Sequence, residues 1–149
     1  MRVGEICIRD VVIVDKEGSI FDAAQLMREF HVGDVVVVEE RDGRTAPIGL
    51  LTDRDIVVEL IAEEVDFNAV AIKDVMSFKL ITATEDESLD DAIERMRDHG
   101  VRRLPVVDAA GALVGVLAAD DLVDLSAEQL VSLVRLVSNE QRHERMTRH

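Results

Sequence analysis

The chain has 149 residues, 48% of them hydrophobic, and a formal net charge of −14. That length supports a sizeable core as one domain or two small subdomains, while the acidity argues against nucleic-acid backbones and anionic membranes as partners, because both attract basic surfaces. No run approaches the roughly 20 apolar residues of a membrane span, and Met1 to Glu5 lack the apolar stretch of a signal peptide, so a soluble cytoplasmic protein is expected.

In chain order, Asp10 to Val14 reads as a short β-branched strand. Ser19, with Asp22 three residues on, opens a helix whose buried face is Ile20, Ala23, Ala24, Met27 and Phe30. Val35 to Val38 is a continuous apolar run between charged residues, as in a strand buried on both faces. Asp42-Gly43 predicts a hairpin into Pro47 to Leu51. A helix then runs from about Asp53 to Ala62, followed by a linker to Ala71.

The same order recurs. Shifted by 69 positions, Ser19-Ile20-Phe21-Asp22-Ala23-Ala24 falls on Ser88-Leu89-Asp90-Asp91-Ala92-Ile93, Met27-Arg28 on Met96-Arg97, and Val37-Val38 on Val106-Val107. After a loop three residues longer in the first copy, Gly49, Leu51, Asp55 and Val57 fall on Gly115, Leu117, Asp121 and Val123. The second set of elements is therefore Leu80 to Ala83, Ser88 to His99, Leu104 to Val107, Leu113 to Leu117 and a helix from about Ala119, with a turn at Ala109-Ala110-Gly111. The fold class is α+β (mixed α/β): two tandem β-α-β-β-α repeats, residues 1–69 and 70–125, followed by residues 126–149 as a C-terminal helix and tail. In that last part Ser126 with Gln129 reads as another capping-box pattern ahead of an amphipathic stripe, Leu130, Leu133, Val134 and Val137, and the tail from Gln141 is expected to fray. The stripe packs on its own chain, on a sister chain or on a separate partner. Cys7 is the only cysteine, stands where Met76 stands in the second copy, and reads as a small packing residue.

Three stretches resemble the CBS-domain family, specifically a stand-alone pair of CBS repeats, or Bateman module: Ile72-Lys73-Asp74-Val75-Met76, Val101-Arg102-Arg103-Leu104-Pro105-Val106-Val107-Asp108, and Gly49-Leu50-Leu51-Thr52-Asp53-Arg54-Asp55. The resemblance covers about residues 2 to 125. It implies two repeats packed about a pseudo-two-fold axis with two clefts between them, binding of adenosine-containing ligands such as AMP, ADP, ATP or S-adenosylmethionine, and frequent pairing into disc-shaped homodimers.

The family's ribose pattern is Gly, any two residues, Thr or Ser, any two residues, Asp, and Gly49, Thr52 and Asp55 complete it. An ionised carboxylate one turn into a helix can accept from both ribose hydroxyls, and exposed N–H groups at that helix start favour phosphate. Thr52 and Asp55 also form an ordinary capping box, and the two roles can coexist. By the resemblance, the adenine of this first site would meet Leu50, Leu80, Ile81 and Pro105. Arg102 and Arg103 would hold phosphate, since a guanidinium fork matches phosphate oxygens; alternatively they are surface arginines paired with acids. At the second site Ala118 replaces the Thr while Asp121 remains, Val11, Val12, Val36 and Val116 would line the base pocket, and Arg54 would lie across the cleft. The first site thus has the better ribose group and the second the better cross-cleft phosphate partner.

Catalysis has little support: no nucleophile elbow, catalytic residue set or His-x-x-x-His metal pair is present, and no cofactor is required. The expectation is a ligand-sensing regulatory module that binds adenine nucleotide between its repeats, forms a homodimer and signals to a regulated protein partner. Competing readings are a dimeric scaffold with vestigial sites, or a module that binds S-adenosylmethionine or a metal ion.

Overall fold

In the computed structural model, which describes residues 1–147, the chain divides into two units, Met1–Leu117 and the part from Ala118 onward. The first unit opens with a short helix, α1 (Val3–Ile6), and then a three-stranded sheet with its helix: β1 (Ile13–Asp15), α2 (Ile20–Phe30), β2 (Asp34–Arg41) and β3 (Arg44–Thr52). Strand β2 is central, parallel to β1 and antiparallel to β3. Ser19 caps α2 by accepting from the Asp22 N–H at 3.0 Å, and Ile20, Ala23 and Met27 form its buried face. The hairpin turn places Asp42 and Gly43 at φ 51° and 76°, the left-handed pair that a two-residue connection requires. Pro47, without an N–H, sits on the edge strand β3, and the register shifts beside it: Val37 faces Gly49 but Val38 faces Pro47.

The apolar run of β2 is buried on both faces, as expected, and its two faces serve different cores. Val35 and Val37 join Val14, Ile20, Ala23, Met27 and Leu51 beneath α2, whereas Val36 and Val38 pack with Val116 of the second repeat.

The second sheet repeats the plan with β4 (Ala83–Thr84), α4 (Leu89–His99), β5 (Arg103–Val107) and β6 (Leu113–Ala118), in the order β4-β5-β6. Ser88 caps α4 through the Asp91 N–H. The expected strand over 80–83 shrinks to Ala83–Thr84, which pair with Val106 and Val107. Pro105 offers no ladder N–H on β5, so the pairing begins only beyond it. For the first repeat the strand likewise begins at Ile13 rather than Asp10.

The pseudo-two-fold relation is visible in an exchange of lead-in segments. Val3 and Gly4 donate to the Glu87 and Glu85 carbonyls, and Ile8 bridges Val116, so the segment before the first repeat is bonded to the second. Reciprocally, Ile72 and Lys73 donate to the Gly18 and Lys16 carbonyls, Ser77 bridges Leu50, and Ile72 and Met76 enter the core under α2. Both close approaches need a glycine. A Cβ on Gly49 would collide with the Ser77 carbonyl and the Met76 methyl; one on Gly115 would lie 2.8 Å from Cys7 Sγ and 2.9 Å from the Ile8 carbonyl oxygen. Cys7 thus fills the place of Met76, as its position predicts, and burial pushes its thiol pKa up.

Two closing helices differ from expectation. After β3 the chain makes a single α-helical turn, α3 (Asp53–Asp55), and then widens into a π-helix over Ile56–Ile61. The Ala62 and Val65 N–H groups reach five residues back, to the Val57 and Leu60 carbonyls at 2.9 Å. The β-branched run Ile56-Val57-Val58 crowds an ordinary turn, and Glu64 at φ 55° reverses the chain. In the second unit, α5 (Ala119–Thr147) is one uninterrupted helix. Ser126 is not a cap within it; its hydroxyl donates to the Leu122 carbonyl at 2.9 Å, the way serine sits inside a helix. The stretch from Gln141 to Thr147 is helical rather than frayed, because no Gly or Pro follows Gly115 and Glu, Gln, Arg and Met sustain the helix.

Candidate functional site

The junction of β3 with α3 concentrates the polar groups of the first predicted site. Thr52 is extended, at φ −109° and ψ 159°, and its hydroxyl accepts from the Asp55 N–H at 3.0 Å. Asp55 returns the bond, its Oδ2 accepting from the Thr52 N–H at 3.0 Å. Ser19 and Ser88 accept from the corresponding N–H groups of their helices, but the reciprocal carboxylate bond is described for Asp55 alone among these three pairs. Both side chains are half-buried. A carboxylate has room for several donors, so one backbone N–H leaves Asp55 with acceptor capacity for hydroxyl groups.

Around this junction the fold gathers most of the other predicted residues. Leu50 exchanges backbone hydrogen bonds with Ser77, at 3.2 and 2.9 Å, which ties β3 to the segment leading to Leu80 and Ile81. Those two are half-buried and precede β4 in irregular chain. Pro105 is fully buried in β5. Arg103, at the start of β5, reaches the first repeat: its Nε lies 2.7 Å from Asp34 Oδ2, with both side chains mostly shielded. Asp34 is the ladder partner of Thr52. The second repeat therefore delivers a guanidinium beside the Thr52–Asp55 helix start, and an acid of the first repeat holds it there. Arg102, one residue earlier, is exposed.

Sequence reasoning missed Asp34, although a signal existed. The 69-residue shift that aligns the repeats places Asp34 on Arg103. Equivalent positions meet only near the pseudo-two-fold axis, so opposite charges there mark a cross-repeat pair. Ser77, the bridge to Leu50, carried no such signal.

The residues predicted for the second site are partly together. Val11, Val36 and Val116 share one apolar cluster, which also takes in Leu50 of the first site, so the two predicted base regions adjoin the same inter-repeat seam. The Val12 carbonyl accepts from the Val36 N–H at 3.0 Å. Arg54 is exposed in the middle of α3. Ala118 ends β6, and Asp121 lies in the first turn of α5; Ala118 has no side-chain oxygen to offer the Asp121 N–H as Thr52 offers one to Asp55.

Residues 3–62 and 72–128 each match the CBS domain. The chain belongs to the CBS-domain family. As a tandem CBS pair it is 36% identical over 135 residues to the CBS domain-containing protein YhcV of Bacillus subtilis, covering 89% of this chain and 92% of that protein. It is 37% identical over 125 residues to an uncharacterised protein of Methanopyrus kandleri, covering 84% of this chain but only 62% of the relative's length. Among solved structures it superposes on the CBS domain pair of protein MJ0100, in complex with 5′-methylthioadenosine and S-adenosyl-L-methionine, with a TM-score of 0.74 and 25% identity over 87% of this chain and 98% of that one. Among the described residues, no helix is long and apolar enough to cross a membrane, and no group of three or more His, Cys, Asp or Glu could hold a metal ion.

Proposed function

We propose that this CBS pair is a non-catalytic, cytoplasmic regulatory module that binds an adenine nucleotide, AMP, ADP or ATP, in the cleft at Thr52 and Asp55. Asp55 accepts from the ribose hydroxyls and Thr52 supports it; Leu50, Leu80, Ile81 and Pro105 enclose the base; Arg102 and Arg103 face the phosphates. The observation that carries this reading is the placement of Arg103 from the second repeat against Asp34, beside Thr52 and Asp55 of the first. A ligand spanning that contact touches both repeats. Binding then favours one arrangement of the repeats over another, provided its affinity for the two differs, and a regulated partner reads the result in a homodimeric protein. A second, unequal site is centred on Val11, Val12, Val36, Arg54 and Val116.

A second reading is favoured by the same ion pair. Asp34 already neutralises Arg103, so an adenosine ligand without phosphate, or a cationic one such as S-adenosylmethionine, also suits the cleft, in line with the ligands of the MJ0100 pair.

Calorimetric titration with AMP, ADP, ATP and S-adenosylmethionine distinguishes the two. The chain has no Trp and no Tyr, so co-purified adenine also shows directly in the ultraviolet spectrum. Asp55→Ala is expected to weaken binding about 10- to 100-fold, the loss of a charge-assisted hydrogen bond, with Asp121→Ala testing the second site. Unchanged affinity in Asp55→Ala overturns the ribose assignment. Absence of heat and of thermal shift with every ligand at millimolar concentration overturns the sensor in favour of a scaffold with vestigial sites.

A further inference from the structure

Helix α5 has no buried residue. Val123, Leu130, Val134 and Val137 are 67%, 63%, 58% and 53% exposed. With Ala127 between the first two, they recur at spacings of four, three, four and three residues, the alternation that lays a single seam along one side of a helix for another helix to fill. Val131 and Leu133, also exposed, flank the seam on its two sides.

Charge decides what fills it and in which direction. From Ala119 to Glu128 the helix carries Asp120, Asp121, Asp124 and Glu128 and no basic residue, whereas from Arg135 to Thr147 it carries Arg135, Arg142 and Arg145 against Glu140 and Glu144. Two copies laid parallel would stack their acidic ends and align their dipoles; laid antiparallel, each acidic end meets a basic one. The row beside the seam, one residue after Val123, Leu130, Val137 and Glu144, is Asp124, Val131, Ser138 and Arg145. In an antiparallel pair this row runs against its own copy, so Asp124 falls opposite Arg145 and Val131 opposite Ser138, each twice. The apolar stretch Leu130–Val137 lies at the middle of Ala119–Thr147, where the two-fold axis of such a pair must pass.

We propose that α5 is the surface through which two copies of this chain associate, as an antiparallel helix pair centred on Leu130, Val134 and Val137, with Asp124 of each copy opposite Arg145 of the other. The contact is self-complementary and closes at two copies.

Sedimentation equilibrium of the full chain tests it. The expected mass is twice 16.5 kDa, and the double variant Leu130→Asp/Val134→Asp is expected to be monomeric with unchanged helix content by circular dichroism. Asp124→Arg and Arg145→Asp are each expected to weaken dimerisation about tenfold at low salt, and their combination to restore it. A monomeric wild-type chain at its highest soluble concentration overturns the proposal, as does a dimer indifferent to Leu130→Asp/Val134→Asp. Failure of the combined charge swap to restore dimerisation overturns the antiparallel register, because parallel helices keep residues 124 and 145 apart.

Discussion

In the first repeat the closing helix starts from two reciprocal hydrogen bonds at Thr52 and Asp55 and widens after three residues into a π-helix; the second repeat reaches the same point with Ala118 and runs on as an α-helix to Thr147. The strand-to-helix step is thus common to both, but what the helix becomes depends on the chain beyond it. After Ile61 the first repeat must turn back so that Ile72, Lys73 and Ser77 can bond to Gly18, Lys16 and Leu50. The second passes into a stretch without Gly or Pro. A polar, capped helix start and a plain one coexist in a single molecule, so the two predicted sites begin from different groups.

The largest effect that would break this comparison is expected where the lead-in segments cross. Gly49→Ala drives a methyl into backbone and should cost about 2–3 kcal/mol, whereas Gly115→Ala meets the yielding Cys7 side chain as well as a carbonyl and should cost about 1 kcal/mol. Urea denaturation of both variants measures the difference, and equal losses would show that the two crossings are equally tight.

A smaller effect lies at the ends of α2 and α4. His31 and Gly100 are equivalent positions, both left-handed, at φ 53° and 64°. Only the first repeat carries a side chain there, so His31→Gly is expected to stabilise by about 0.5–1 kcal/mol, read as a rise in melting temperature. Gly100→His should do the reverse.

The smallest expected effect concerns Glu39 and its counterpart Asp108. Asp108 Oδ1 accepts from the Ala110 and Ala112 N–H groups, at 2.9 and 3.0 Å, and so shapes a turn. Glu39 instead accepts from Lys16 Nζ at 3.0 Å and from Arg41, and these bonds lower its pKa from the ordinary 4.5. Its contribution to stability is therefore present above about pH 4.5 and lost as pH falls through the lower folded value. Glu39→Gln should lower stability slightly at neutral pH, leave it little changed in acid, and so flatten that part of the acid unfolding curve.

Much of this was legible because it is local or duplicated. The serine caps at 19 and 88, the Asp42-Gly43 turn and the doubled β-α-β-β-α order follow from spacing alone, and the resemblance to CBS pairs supplied the packing of the repeats. The exchange of lead-in segments was not legible, since Val3–Ile6 and Ile72–Asp74 owe their short helices to partners some 50 to 85 residues away. Ser126 misled for a different reason: its pattern with Gln129 is that of a helix start, but nothing near it breaks the helix already running from Ala119. At the candidate site, Thr52 and Asp55 were readable as a motif, while the grip of Asp34 on Arg103 required the repeats to be superposed, not merely aligned.

That grip also bears on why the two repeats work as one chain. Asp34 and Arg103 occupy the same place in their respective repeats. Two separate copies of the first repeat, joined in the same way, would confront carboxylate with carboxylate at the axis, and two copies of the second would confront guanidinium with guanidinium. Only the unlike pair turns this contact from repulsion into attraction, so a single charge difference at one duplicated position makes each repeat prefer its sibling to itself.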